Sequence, residues 1–453
     1  MDKRNFLKLS ALSLALPDLL KGQSAPARVM ENPDRHYWDK DTRLTIAMWD
    51  FSWLSDQGKG GSYENLEQRV VEAVERGYNT LRVDCFPSRV LEKTTSLTSG
   101  LNPGERKGLP GWGRVTTSFS CNALEKLKQF ADICRKHKIW LGLDSWDKAH
   151  MIRRNYPMLF QDANSSIIPV SIEEKVFRDF GHTWVEALRL MREEGILERA
   201  VWVAPMNEVP HFATRSIESI RQIGALDQNE GDVKMEMNQK LNDRYRLINL
   251  WMAEEIKDEI SRENIPLSYS SLSQEQFAKR LPEIYDVVDV HYMPPVIMNE
   301  DERNELAAIT RGVRENFQGF ETMDMKRYSE LWDRACRNNY AAMLARTISY
   351  MNTVLENLVF PSGKRMQAVI TESFGPCYWP DHPDVSWVWY KQYNADAARI
   401  AAALPFEGIS LSNYGEPIFS LWDDVDWHRN TNLFILTNKG QAHHRLYRTG
   451  YEW

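Results

Sequence analysis

From Leu44 onward, short apolar runs alternate with longer segments whose apolar residues recur every three or four positions. Strands are predicted at Leu44–Trp49, Thr80–Phe86, Ile139–Trp146, Ala200–Met206, Leu267–Leu272, Val287–Tyr292, Gln367–Thr371 and Gly408–Ser412. Helices are predicted at Glu64–Arg76, where Leu66, Val70, Val71 and Val74 share a face, and at Asn122–His137, Ile172–Glu194, Val233–Arg262, Ser329–Leu358 and Val388–Leu404. The strand candidates are continuous Val/Ile/Leu/Trp runs, not alternating ones, as parallel strands covered on both faces require. Eight βα units in about 410 residues predict an α/β fold, a (β/α)8 TIM barrel with long βα loops at its C-terminal face. A doubly wound open sheet is the alternative, but no GxGxxG follows the first strand.

The segment 87–120, rich in Gly, Pro, Ser and Thr, reads as the loop after strand two and not as a linker. Other long loops are predicted at about 147–171, 209–232 and 293–328, all at the strand ends where barrel sites are built. One domain is therefore predicted over 44–453, preceded by a segment at 26–43. Residues 1–25 have the layout of a signal peptide: basic Lys3 and Arg4, an apolar stretch from Leu9 to Leu16, then small Ser24 and Ala25. Asp2 to Lys8 is also similar to a twin-arginine export signal, with Lys3 in place of the first arginine. Export to the periplasm or beyond is the expectation.

Composition narrows the class. The chain is 43% hydrophobic with 16 Trp, 17 Tyr and 17 Phe, which excludes disorder, and no apolar run is long enough to span a membrane. A formal net charge of −7 argues against a nucleic-acid partner. The five cysteines (Cys85, Cys121, Cys134, Cys336 and Cys377) are odd in number and lack zinc spacing, so buried free thiols are expected and no metal or other cofactor.

The chemistry is carried by carboxylates at strand ends. Strand four closes on Asn207-Glu208 and strand seven on Thr371-Glu372. A glutamate ending an apolar strand puts a charge into the barrel mouth, which is costly unless the charge is bonded or used. For either alone, a salt-bridged structural role is as good a reading. Strands four and seven, however, face each other across an eight-strand ring, a placement that suits two carboxyl groups flanking a glycosidic bond.

At these residues the chain resembles a family. Gly77-Tyr78-Asn79-Thr80-Leu81-Arg82-Val83 resembles the second-strand signature of cellulase-like glycoside hydrolases of the (β/α)8 retaining clan, clan A, family 5-like. Asn207-Glu208 resembles that clan's acid/base pair, and Glu372 in Ile370-Thr371-Glu372-Ser373-Phe374-Gly375 resembles its nucleophile. His291-Tyr292 matches the clan's His/Tyr position loosely. The chain departs from the pattern where Val209 separates Glu208 from Pro210, where strand three ends Leu143-Asp144-Ser145-Trp146, and where Asn413-Tyr414 stand in place of a tryptophan, with Trp422 nine residues on.

The resemblance implies a β-linked oligo- or polysaccharide substrate, with Glu208 as acid/base, of raised pKa, and Glu372 as nucleophile. Arg82 would hold Glu372 ionised, and Asn207 would bind the sugar 2-hydroxyl. Tyr292 would donate to Glu372, and His291 would bind a hydroxyl. Asp84, Asp144 and Asp147 are reserve candidates. Trp49, Trp53, Trp112, Trp146, Tyr378, Trp379, Trp387 and Trp422 lie at strand ends or in mouth loops, where indole faces suit sugar C–H faces; of these, Trp49, Trp146, Trp379 and Trp422 are the sugar-binding candidates. Trp140, Trp184, Trp202 and Trp251 read as packing. Two other readings stand: a barrel that binds carbohydrate without catalysis, and a metal-dependent hydrolase, the latter disfavoured because strand one has no His-x-His.

Overall fold

A computed structural model describes residues 43–92, 95–97, 119–146, 151–152, 155–156, 174–208, 239–272, 281–293, 297–311, 323–375 and 379–438. The predicted signal peptide, residues 26–42 of the segment that follows it, the loop 209–232, most of the loop 147–171, and Trp112, Asp147, Cys377 and Tyr378 lie outside the described residues.

Eight parallel strands form the barrel: β1 Leu44–Asp50, β2 Thr80–Asp84, β3 Trp140–Asp144, β4 Ala200–Val203, β5 Ser268–Leu272, β6 Val287–His291, β7 Gln367–Thr371 and β8 Gly408–Ser410. Their spatial order is 4-3-2-1-8-7-6-5, every neighbour parallel. The ring closes between β4 and β5 through a bridge from Val203 to Leu267, with Val203 N donating to Pro266 O at 3.1 Å. The fold is a (β/α)8 TIM barrel.

Among the described residues eight longer helices surround it: α1 Leu66–Glu75, α2 Ala123–Lys136, α3 Glu174–Glu193, α4 Gln239–Ser261, α5 Glu300–Ile309, α6 Met325–Glu356, α7 Val388–Ala402 and α8 Val425–Thr437. Several start where a side chain caps them. Asn65 accepts from Gln68 N, Asn122 from Leu124 N and Glu125 N, and Asp324 from Arg327 N. The predicted loop 293–328 contains α5, begun by a full capping box between Asn299 and Glu302. The described parts of the predicted loop 87–120 hold a helical turn at Pro87–Val90 and the strand Thr95–Leu97, which pairs antiparallel with Phe119–Cys121. Among the described residues no helix lies between β5 and β6.

The barrel is filled at its centre. Leu44, Ile46, Trp140, Val201, Trp202, Ala204, Val287 and Val369 form an interior cluster separate from the larger core between strands and helices. The Trp202 indole lies where a β-carbon on residue 142 would sit, 2.1 Å away, so only Gly142 fits that position of β3. Trp140 and Trp202 pack as predicted, as do Trp184, whose indole N donates to Pro205 O, and Trp251. Cys85, Cys121, Cys134 and Cys336 are free thiols, the first, third and fourth of them buried. Among the described residues, no helix is long and apolar enough to cross a membrane.

Candidate active site

The barrel mouth is organised by one cation. Arg82, on β2, is fully buried and its guanidinium reaches four carboxylates and an amide. Nε donates to Asp289 Oδ2 at 3.0 Å; Nη1 donates to Asp50 Oδ1 at 2.5 Å and to Glu372 Oε1 at 3.0 Å. Nη2 donates to Asp144 Oδ2 and to Asn207 Oδ1. Burial opposes the Arg82 charge, but Asp144, Asp50, Asp289 and Glu372 outweigh it and hold the guanidinium firmly protonated.

Glu208 and Glu372 meet at His291, the last residue of β6. His291 Nδ1 lies 2.8 Å from Glu208 Oε1 and 3.5 Å from Glu372 Oε2, and one ligating atom from each of the three residues lies within 4.8 Å of the others. His291 Nε2 faces Ser270 Oγ at 3.2 Å, Arg82 Nη2 at 3.4 Å and Asp289 Oδ2 at 3.7 Å. Burial works against an imidazolium here, but the Glu372 charge and the bonds to Asp289 and Glu208 lift its pKa to about 10.

The imidazolium proton has a consequence for stability. The unfolded chain releases it near the ordinary value of 6.5, whereas the folded chain keeps it to about pH 10. The stabilisation is fully present below 6.5 and is lost as pH rises through 10. Unfolding free energy should fall as pH rises from 7 to 9. Urea midpoints across that range check it; a flat profile that His291→Gln leaves unchanged would contradict it.

The structure pushes Glu372 well up, chiefly by burial and further by the Glu208 charge, against the downward pull of His291 and Arg82. The two carboxyls are close enough to titrate as a pair that shares one proton.

Backbone strain marks the same residues. Asp50 ends β1, Glu372 directly follows β7 and Glu208 lies five residues past β4, and all three adopt left-handed conformations, with φ of 35°, 29° and 49°. Such conformations are rare for side chains of this kind and gather at functional sites. Asn207 is anchored by its backbone N to Ser145 O at 2.9 Å, and its Oδ1 also accepts from Ser270 Oγ at 2.7 Å. Thr371 Oγ1 donates to Asp289 Oδ1 at 2.6 Å, which steadies the acid beneath Arg82. Of the reserve candidates, Asp144 joins the Arg82 group. Asp84 shapes loops: its two oxygens accept from Phe86 N at 2.7 Å and Trp146 N at 2.9 Å.

Four expected sugar contacts lie elsewhere. Trp49 points outward and stacks on Phe130 of α2, with centroids 5.8 Å apart, and Trp422 meets it edge-on at 6.3 Å. Trp422 also stacks on Tyr78 and donates its indole N to Glu72 at 2.9 Å. Trp379 is enclosed by Trp332, Trp389 and Tyr390 of α6 and α7. Tyr292 stacks on Tyr350 of α6, with ring centroids 4.1 Å apart. Trp53 packs on Phe130. Trp146 stays at the mouth, partly exposed and edge-on to partly exposed Phe51.

Sequence reasoning missed Asp50, Asp289, Ser270 and Thr371 as members of this network. Two of them carried a signal. Asp50 ends an apolar strand just as Glu208 and Glu372 do, and Asp289 is a lone charge within Val287-Val288-Asp289-Val290-His291.

Comparison with known proteins agrees with this architecture. A proposed glycoside hydrolase from Parabacteroides distasonis superposes with a TM-score of 0.63 at 20% identity, over 89% of this chain and 96% of that one. A β-mannanase from the blue mussel Mytilus edulis superposes with a TM-score of 0.43 at 11% identity, over 88% and 94%. A family 5 xyloglucan-specific endo-β-1,4-glucanase from a metagenomic library, solved with cellotriose, gives 0.43 at 13% identity, over 86% and 97%. At these identities the first likeness speaks for the fold alone. No curated protein matches the sequence. The profile of the sugar-binding cellulase-like family, however, matches residues 46–436, nearly the whole barrel, and the chain belongs to that family and so to the glycoside hydrolases.

Proposed function

We propose that the protein is a retaining glycosidase that cleaves a β-linked oligo- or polysaccharide by double displacement. The observation that carries this reading is the approach of the Glu208 and Glu372 carboxyl oxygens to within 4.8 Å around His291. Retaining enzymes hold their two carboxyl groups about 5–5.5 Å apart, whereas inverting ones leave about 6.5–9.5 Å for a water.

In the productive protonation state the shared proton sits on Glu208 and Glu372 is ionised against Arg82 Nη1. Glu372 attacks the anomeric carbon while Glu208 gives its proton to the departing oxygen. Glu208 then takes a proton from water, which displaces Glu372 from the covalent intermediate. Asn207, held by Arg82 and Ser270, lies beside Glu208 as a partner for a sugar hydroxyl. Trp146 and Phe51 offer apolar faces at the mouth. The chemistry calls for no Lewis acid.

The test is a screen of aryl β-glycosides and β-linked oligosaccharides, followed by proton NMR of the first-formed sugar. The β-anomer should appear first and mutarotate to the α. Initial release of the α-anomer would exclude double displacement.

A further inference from the structure

The Arg82 nitrogen that holds the nucleophile is shared. Nη1 donates to Glu372 Oε1 at 3.0 Å and, at the closer distance of 2.5 Å, to Asp50 Oδ1. Asp50 is 1% exposed, and its other oxygen, Oδ2, is buried with no hydrogen-bond partner among the described residues. It sits where the pairing of β1 with β2 shifts register, Met48 opposite Arg82 and Asp50 opposite Val83. Such an irregularity re-aims a side chain at a barrel rim. Its φ of 35° belongs to the same left-handed set as Glu208 and Glu372. A structural counter-ion for Arg82 needs none of this, because Asp144 and Asp289 already pair with the guanidinium from unstrained strand positions.

From this geometry, and resting on the retaining-glycosidase reading, we propose that Asp50 is a positioning residue for the nucleophile. It divides the Arg82 charge with Glu372 and so sets how firmly Glu372 is held as a carboxylate. The groups that face Asp50 are Arg82 from β2, Asp144 from β3, Asp289 and His291 from β6, Glu372 at the end of β7, and Glu416 from the segment after β8. Burial and Asp144 push Asp50 up to about 7 against the pull of Arg82. The Asp50 charge also works to raise Glu372. An ionised Asp50 therefore keeps the shared proton on the Glu208–Glu372 pair. Its loss should make both members more acidic, Glu372 the more so because it inherits Nη1.

Asp50→Asn keeps the shape and an acceptor for Nη1 but removes the charge. The expected result is a bell-shaped kcat/KM profile whose two limbs both move to lower pH. The acidic limb should move by about one pH unit, more than the basic one. Asp50→Ser, smaller but still an acceptor, should shift it in the same direction. Wild type and Glu372→Ala are measured alongside. If wild type hydrolyses no glycoside, or Glu372→Ala stays fully active, the glycosidase reading itself fails. If wild type is active and Glu372→Ala is dead, yet folded Asp50 variants keep the wild-type acidic limb, only the role of Asp50 is overturned. Failure of both Asp50 variants to fold would likewise overturn it, by making Asp50 a scaffold residue.

Discussion

Glu372→Ala should abolish turnover of every substrate, because on the proposed double displacement no covalent intermediate can form without this carboxylate. A loss of at least about 10⁴-fold in kcat is expected, and the substrate's leaving group should make no difference. Glu208→Ala should fail differently. Only leaving groups that need a proton depend on the acid, so poor leaving groups should suffer most. With a dinitrophenyl glycoside, whose phenolate departs unprotonated, Glu208→Ala should release a burst and then stall at the glycosyl-enzyme. Azide needs no general base; it should restart turnover and yield the β-glycosyl azide. With Glu372→Ala, azide should instead fill the space left by the carboxyl and give the α-azide by direct displacement. The reverse pattern would swap the two roles. Retained activity in both variants would remove this pair from the chemistry. Because both residues lie within reach of His291 Nδ1, structural damage has to be separated from chemical loss, and the configuration of the azide product does so.

The strands were legible because parallel strands buried on both faces read as unbroken apolar runs, and β7 coincides with its predicted span, Gln367–Thr371. Their ends were less so. The second was predicted to reach Phe86 but stops at Asp84, whose carboxylate accepts from Phe86 N while Phe86 turns to a φ of 48°. Side-chain direction was the larger difficulty. Successive residues of a strand point to opposite faces, so Trp49, between inward Met48 and Asp50, must point out, as must Tyr292 after inward His291. A count of parity along β1 and β6 would have removed both from the sugar site and brought in Asp50. Trp379 lies in a loop and Trp422 in the short 3-10 helix Ser420–Asp423, neither with a strand parity to count, and only tertiary packing shows that α6, α7 and α1 claim them. The raised pKa of Glu372 was out of reach of any pattern, because it depends on burial and on which neighbours its carboxyl faces.

The second large effect falls on stability. Arg82→Met replaces the guanidinium with an apolar side chain of similar reach, and it should leave the chain unfolded or molten at neutral pH. Asp50, Asp144, Asp289 and Glu372 would then share a buried space with His291 as the one cation among the described residues that pair with them. Removing one partner of a buried ion pair costs about 3–5 kcal/mol. Here one removal strands four partners, so the cost rivals the 5–15 kcal/mol that typically holds a whole domain together. The sign of the pH dependence follows from the same charges. Without Arg82 the folded-state pKa of each carboxyl rises. Whatever stability remains is present where the acids are protonated and is lost as pH climbs through those raised values. Circular dichroism melts should therefore show more folded Arg82→Met at pH 5 than at pH 8. Arg82→Lys keeps a charge but not the fork that reaches Asp289, Asp50, Glu372, Asp144 and Asn207 at once. It should fold with a lowered melting temperature and still hydrolyse poorly, since a single ammonium cannot hold Glu372 and the acids beneath it together. An Arg82→Met protein as stable as wild type at pH 8 would mean that these carboxyls are already protonated in the native state, and that the guanidinium is not what holds the mouth of the barrel together.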